Sequence, residues 1–310
     1  MSIKIFIDGE AGTTGLQIRE KLAGIAGVEL LSLPAQARKD IEAKRELLAN
    51  VDLTILCLPD AAAKEAAALL EEMGERAPRV IDASSAHRVA PGWTYGFPEL
   101  TPGQYAAIAG AAKVTNPGCH ATGAIALLRP LTDAGLIPKD AAITISSVSG
   151  YSGGGKTMIE DYESGRAPAF ELYGLGLEHK HVPEIQAYSG LAARPLFVPS
   201  VGNFRQGMLV SIPLQLDSLA SRPSGADLRA ALARHYEGCR YVKVAGEAET
   251  SARSRIEPES LNGSNEMQIH VWANEDRRQA VLVAKLDNLG KGASGAAVQN
   301  LALMTGLSVD

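Results

Sequence analysis

A chain of 310 residues with a net charge of −5 and no basic run lacks the electrostatic footprint of a nucleic-acid binder or a polybasic membrane anchor. Its 46% hydrophobic and 21% charged residues describe a globular protein, not a disordered one, and the length suits two domains better than one. No apolar stretch approaches the roughly 18 residues of a transmembrane helix. The first strand leaves no room for a signal peptide, and Cys57, Cys119 and Cys239 lie far apart, so a cytoplasmic chain with reduced thiols is expected.

Residues 3–8 read as a strand ending in Asp8, followed at once by the turn Gly9-Glu10-Ala11-Gly12-Thr13-Thr14-Gly15 and helical spacing over 15–24. Strands over 28–33, 52–58 and 79–82 come next, the last two separated by an alanine-rich helix from Ala61 to Met73. Strands alternating with helices predict a parallel, doubly wound sheet. The pattern changes after Pro117. A helix from about Cys119 to Thr132 leads into a strand over 142–148 and a Gly/Ser-rich loop over 149–156. Longer strands follow over 197–199, 208–216, 241–244, 267–273 and 279–286, with helices over 225–237 and 293–307. The alternation in Met267-Gln268-Ile269-His270-Val271-Trp272 predicts a sheet with one covered face.

The glycines Gly9, Gly12 and Gly15, with Thr13 and Thr14 between them, stand where a first strand turns into a first helix. In that context spaced glycines let the backbone approach a pyrophosphate, and the helix start offers free N–H groups and a positive dipole end. NAD-type sites place an acid at the end of the second strand. Here no acid follows until Asp40, while Arg38 and Lys39 lie just beyond the strand, which favours a 2′-phosphate and hence NADP(H). The expected fold class is α/β: a Rossmann-type doubly wound NADP-binding domain over 1–117 plus 290–310. An α+β catalytic and dimerisation domain over 118–289, with a mostly antiparallel or mixed sheet, completes it.

Asn116-Pro117-Gly118-Cys119 lies between a strand and a helix, so Cys119 falls at a helix N-terminus, where thiolate is favoured over thiol. Such a thiolate is a nucleophile for a carbonyl, and the new helix's N–H groups can face an oxyanion. Cys57, inside an apolar run, and Cys239 read as structural. A proton partner is sought among six histidines. His87, His235 and His270 read as surface or packing residues, and His120 adjoins Cys119 on a helix, where neighbours in sequence do not face one another. His179 and His181, in Glu178-His179-Lys180-His181-Val182-Pro183-Glu184-Ile185, would point the same way in an extended segment, with Glu184 placed to orient one of them. A zinc site at this pair is the rival reading, but the cysteines supply no metal-ligand pattern, and no metal is expected. The segment Asp82-Ala83-Ser84-Ser85-Ala86-His87-Arg88 follows a strand end, where ligands gather in open α/β sheets. Ser149-Gly150-Tyr151-Ser152-Gly153-Gly154-Gly155-Lys156 is a second candidate anion loop, and Arg205 a candidate for a carboxylate.

Together these segments resemble the short N-acetyl-gamma-glutamyl-phosphate reductases of arginine biosynthesis over nearly the whole chain. Asn116-Pro117-Gly118-Cys119 with Ala121-Thr122-Gly123, the histidine motif, and Asp287-Asn288-Leu289-Gly290-Lys291-Gly292-Ala293-Ser294-Gly295 carry the resemblance. It implies that Cys119 is the nucleophile and that His179 or His181 is the acid/base. It implies a phosphate site at Ser85 and Arg88 like that of aspartate-semialdehyde dehydrogenases, with Asn116, Ser149, Gly150, Glu184 and Arg205 on the substrate. Ser84, Asn288, Gly290 and Lys291 are implied as cofactor contacts. Many members carry an aromatic residue and then a proline after the cysteine, where this chain has His120-Ala121, and that departure bears on the pocket wall beside the thiol. The expected activity is reduction of an acyl phosphate through a thioester, with a small-molecule substrate and a homodimer or homotetramer as the assembly. Aspartyl or aminoadipyl phosphate, and a non-catalytic NADP-binding protein, are the alternatives.

Overall fold

The computed structural model describes residues 2–38 and 40–309. They form two compact units, one reaching to Pro117 and resumed from Ala293, the other running from Gly118 to Gly292.

In the first unit β1 (Ile3–Asp8), α1 (Thr13–Leu22), β2 (Val28–Leu31), α2 (Ile41–Leu48), β3 (Leu53–Leu56), α3 (Asp60–Met73), β4 (Arg79–Asp82), β5 (Thr94–Tyr95), α4 (Gln104–Gly110) and β6 (Lys113–Thr115) follow one another. The sheet order is β2-β1-β3-β4-β6-β5, and every pairing is parallel. Order reverses beside β1, so the C-terminal ends of β1 and β3 open onto the switch point where ligands of doubly wound sheets bind. The central strands carry apolar residues on both faces because both faces are covered. Ile5, Ile7, Leu53, Ile55, Ile81 and Val114 pack against Ile18 and Leu22 of α1 and Ile108 of α4 on one side. Phe6, Leu56 and Val80 meet Leu69, Leu70 and Met73 of α3 on the other.

In the second unit the elements are α5 (Cys119–Asp133), β7 (Thr144–Gly150), α6 (Gly155–Glu163), β8 (Phe170–Leu172), α7 (Val182–Ser189), β9 (Leu196–Gly202), β10 (Met208–Gln215), α8 (Gly225–His235), β11 (Val242–Val244), α9 (Glu247–Ser251), β12 (Met267–Asn274) and β13 (Gln279–Leu286). Their sheet is mixed, in the order β11-β12-β13-β10-β7-β9-β8: β11 with β12 and β7 with β9 are parallel, the other pairs antiparallel. The register puts Met267, Ile269, Val271, Leu282, Ala284, Met208, Val210 and Ile212 on one buried face, as the alternation over 267–272 foretold. Helix α5 is buried along almost its whole length on this face. It lies so close that a Cβ at Gly123 would meet Val210 Cγ2 at 2.6 Å. The opposite face carries Phe170, Leu172, Leu196 and Val281, all exposed.

After β13 a π-helical stretch, Gly290–Ser294, precedes α10 (Gly295–Thr305), whose Ala297, Val298, Leu301 and Met304 join the core of the first unit. Residues 290–292 fall with the second unit, three residues beyond the boundary expected from sequence. The reason is local: Gly292 lies against Cys119.

Candidate active site

Cys119 is the first residue of α5, and Gly118, in an extended conformation, is its N-cap. The first three N–H groups of a helix have no partner within it, and here intrahelical bonding starts with Thr122 N–H to Gly118 O at 2.8 Å. No acidic side chain sits in this first turn to compete for them. The turn is anchored from below: Gly118 N–H donates to the buried carboxylate of Glu184 at 3.1 Å. Glu184 sits in the first turn of α7, which Val182 opens and Pro183 favours as its second residue. From the other side Gly292 closes on Cys119, where a Cβ would lie 2.7 Å from Cys119 Cβ. Gly292 is held there by its N–H to Asp287 O at 2.9 Å. The Asp287 carboxylate is itself fixed by donors from Gln206, Gly263 and Leu289.

The histidine pair does not lie in an extended segment as expected. The chain turns, Val182 N–H donating to His179 O at 3.0 Å and His181 N–H to His179 Nδ1 at 3.1 Å. The turn still brings the rings together, with centroids 4.7 Å apart. A third imidazole joins them. His120 lies 5.8 Å from His179 and 5.5 Å from His181, and Phe197 packs edge-on against His120 and His179. Burial and then the charge of His179 push the His120 pKa down to about 3, so this ring is neutral. Its nitrogens are 2.7 Å from Ser147 Oγ and 2.9 Å from the Tyr173 hydroxyl. His120, Ser147, Tyr173 and Gly292 were not read from the sequence as site residues. Gly292 stands inside a quoted motif; the others carry no motif, and His120 shows only as the break in the expected residues after the cysteine.

The other expected residues divide. Ser149 Oγ donates to Gly150 O, and Gly150 N–H donates to Gly207 O, so both are buried at the end of β7, not in the loop expected over 149–156, and beside the loop that holds Gly207. Asn288 clamps that loop, accepting from Gly207 N–H at 2.8 Å and donating to Ser152 Oγ at 3.0 Å. A Cβ at Gly290 would meet Ser264 O at 2.0 Å, which explains the glycine. Lys291 is fully buried, its ammonium 5.6 Å from the centre of the Tyr241 ring. Arg205 is exposed and ion-paired with Glu163 of α6.

In the first unit the glycine turn has the geometry its sequence foretold. Gly9 has φ of +91°, and a Cβ there would strike Cys57 O at 2.2 Å; a Cβ at Gly15 would strike Gly9 O at 2.4 Å. Helix α1 starts at Thr13 with no side-chain cap and no acid in its first turn, so the N–H groups of Thr13, Thr14 and Gly15 stand at an uncapped positive end. Beside them is a cavity of about 700 Å³ lined by Gly9, Gly12, Arg38, Lys44, Leu58 and Pro59 among others. Arg38 points at Glu10 at 2.9 Å, and Arg19 and Ser32 meet the same carboxylate. The chain past β2 thus brings Arg38 and Ser32 to the Glu10 carboxylate of the glycine turn, and the end of β2 itself carries no acid of the NAD kind. Lys39 lies outside the described residues. The closeness of the glycine backbone, the uncapped helix end and the half-exposed Arg38 fit a dinucleotide bearing a 2′-phosphate. At the end of β4, Ser84 Oγ and N–H both donate to Asp82, and Ser85 Oγ and N–H to Asp60. Arg88 is buried, its Nε donating to Asn116 O at 3.1 Å, and Asn116 Nδ2 donates to Ala293 O at 2.9 Å. His87, read as a surface or packing residue, is 2.6 Å from the buried Asp82 carboxylate and stacks on Trp93.

Two family models match the chain, "Semialdehyde dehydrogenase, NAD binding domain" over residues 9–108 and "Semialdehyde dehydrogenase, dimerisation domain" over 119–288. A curated relative from Pseudomonas putida, named N-acetyl-gamma-glutamyl-phosphate reductase 2, is 52% identical over 97% of this chain and 96% of its own. One from Mesorhizobium japonicum, named N-acetyl-gamma-glutamyl-phosphate reductase, is 53% identical over 99% of this chain and 100% of its own. The chain belongs to the N-acetyl-gamma-glutamyl-phosphate reductase family. Its fold is also that of aspartate semialdehyde dehydrogenase II from Vibrio cholerae, with a TM-score of 0.72 at 17% identity over 98% of both chains. Aspartate semialdehyde dehydrogenase with NADP from Candida albicans has a TM-score of 0.67 at 16% identity over the full length of both. At these identities the structures speak for the fold alone. The reductase relatives match across both units, so the glycine turn and the cysteine helix belong to one family architecture.

Proposed function

We propose that this chain is an oxidoreductase that reduces N-acetyl-gamma-glutamyl phosphate to N-acetyl-glutamate 5-semialdehyde and phosphate with NADPH, in arginine biosynthesis, through a thioester on Cys119. The observation that carries the mechanism is Cys119 at the open N-terminus of α5, next in sequence to His120, whose ring joins those of His179 and His181. The activity itself is supported by relatives of that name at about half identity over the whole chain.

The Cys119 sulfur attacks the acyl carbon; the S–C bond forms, the C–O bond to phosphate breaks, and phosphate leaves with the electron pair. The N–H groups of the first turn of α5, which have no partner within the helix, are proposed to face the negative charge that develops on the acyl oxygen. NADPH, when bound, supplies the hydride, and the glycine turn, the start of α1 and Arg38 are the residues proposed to hold it. His179 or His181 takes the thiol proton and returns a proton to the oxygen. Collapse of the thiohemiacetal then frees the aldehyde and the thiol. With its pKa pushed down to about 3, His120 is too weak a base to hold the thiol proton, which leaves the exchange to the other two rings. Ser85 and Arg88 are proposed for the phosphate group, and Arg205 for the substrate carboxylate.

A homodimer or homotetramer is proposed through the second unit. The support is the dimerisation-domain match and the exposed Phe170, Leu172, Leu196 and Val281 on one face of its sheet. The test of function is NADPH oxidation with N-acetyl-gamma-glutamyl, aspartyl and aminoadipyl phosphates side by side. The account expects the first to be preferred by at least tenfold in kcat/KM. Preference for another would reassign the substrate, and turnover with none would leave a dinucleotide-binding protein.

A further inference from the structure

The Glu10 carboxylate of the glycine turn is met from three parts of the first unit. Arg38 Nη2 donates to its Oε1 at 2.9 Å. Ser32 Oγ, just past the end of β2, donates to its Oε2 at 2.8 Å. Arg19 Nη1, from α1, donates to the same Oε2 and, at 2.9 Å, to Ser32 Oγ. The anion is the sheltered member of this group: the Glu10 side chain is 14% exposed, against 44% for Arg19 and 47% for Arg38. Two guanidiniums on the surface thus reach inward to one carboxylate. Glu10 and Arg38 both line the cavity beside the glycine turn, and Lys44, which lines it too, pairs instead with Asp8 at 2.7 Å.

Two guanidiniums and a hydroxyl form a cradle for more negative charge than one carboxylate brings, so a positive charge is left over with Glu10 in place. A phosphate monoester carries about −1.5 to −2 at pH 7 and offers three strong acceptor oxygens, and guanidinium forks match it. Two anions in one cradle repel each other, so carboxylate and phosphate cannot share it. We infer that Glu10 is a specificity-determining residue for the cofactor: its carboxylate is an internal occupant of a 2′-phosphate site made by Arg19, Ser32 and Arg38, and NADPH binds with Glu10 displaced. The inference rests on the reading of NADPH as the cofactor. The displacement is a side-chain rotation, because the backbone is held. Gly12 N–H donates to Gly9 O at 3.0 Å, and Gly15 packs so close that a Cβ there would lie 2.9 Å from Glu10 Cα. A dinucleotide without the phosphate leaves Glu10 on the arginines, so the carboxylate works against NADPH alone. Its cost to NADPH is the fraction of time for which it closes the site.

The test is titration of the full-length protein with NADPH and with NADH, read by nucleotide fluorescence in the absence of substrate. Glu10→Gln keeps the shape of the side chain and removes its charge. It is expected to tighten NADPH by about three- to tenfold and to move NADH by less than about twofold. Ser32→Ala, which takes one donor from the cradle, is expected to weaken NADPH by about three- to tenfold with NADH again little moved, and serves if the first variant does not fold. Equal changes for the two nucleotides in either variant, or none in Glu10→Gln, overturn the inference, because a Glu10 that only braces the glycine turn acts on both dinucleotides alike. Wild-type protein that prefers NADPH, with weaker NADPH binding in Glu10→Gln, would overturn the inference and keep the reading of the cofactor. Wild-type protein that binds NADH as tightly as NADPH would overturn both.

Discussion

Gly292→Ala places the sharpest demand on the account. A Cβ there would lie 2.7 Å from Cys119 Cβ and 3.2 Å from both Cys119 Cα and Asp287 O. Non-bonded carbons settle at about 3.5–4.0 Å, so the shortfall is on the order of 1 Å. Neither neighbour is the loose end of a flexible side chain. One is the stem of Cys119, the other the carbonyl that accepts the Gly292 N–H. Relief requires sliding the 287–292 segment or tipping the thiol. Overpacking of this kind costs about 1–3 kcal/mol of stability, and a 1 Å misplacement of a reacting group costs on the order of 100-fold in rate. Steady-state NADPH oxidation should therefore show kcat/KM about 100-fold below wild type, with a Tm lowered by several degrees in a thermal melt. Wild-type kcat/KM together with a wild-type Tm would refute the proposal that this glycine packs on a reacting cysteine.

Three further expectations follow from other parts of the molecule. Gly15→Ala, whose Cβ would meet Gly9 O at 2.4 Å and Glu10 Cα at 2.9 Å, should weaken NADPH binding about tenfold or more in a fluorescence titration. The same variant should leave Cys119 alkylation as it is, and unchanged affinity would remove the glycine turn from the cofactor site. Arg38→Ala should lower the kcat/KM preference for NADPH over NADH by about tenfold, one charge-assisted contact; an unchanged ratio would assign 2′-phosphate recognition elsewhere. His120 makes folding pH-dependent. Its pKa is 6.5 in the unfolded chain and about 3 in the folded one, so below pH 6.5 the unfolded state takes a proton that the native state refuses. Stability is lost as pH falls through that window, by about 2 kcal/mol between pH 7 and pH 5 from this group. Urea unfolding should show His120→Gln losing less than wild type over the same interval, and parallel losses would contradict the burial argument.

Much of the first unit was legible because its signals are local. The strand–glycine–helix order and the strand over 79–82 survive as written, whereas β2 and β3 are shorter than the runs over 28–33 and 52–58. The two-residue β5 and the α4 helix, entered from Gly103 with positive φ, offer no periodicity to read. The cysteine helix was legible for the same local reason, a Pro-Gly turn before an apolar run. The surroundings of the thiol were not. His120 does not face Cys119 along the helix, as the rule for neighbours says, and its partners come from β7 and from the loop after β8. Gly292 reaches Cys119 across more than half the chain. The histidine pair was found by its composition, yet the backbone that brings the rings together is a turn leading into α7, which Val182 opens, and not an extended segment. Nothing in sequence spacing distinguishes those routes to one contact.

The central claim, a thioester on Cys119, is open to one direct measurement. The protein is mixed with N-acetyl-gamma-glutamyl phosphate without cofactor, quenched in acid, and the Cys119 peptide is weighed. The account predicts one N-acetylglutamyl group on Cys119, removed by hydroxylamine and absent in Cys119→Ser, which still binds NADPH but transfers no hydride. An unmodified Cys119 in active protein, with turnover retained in Cys119→Ser, would contradict it.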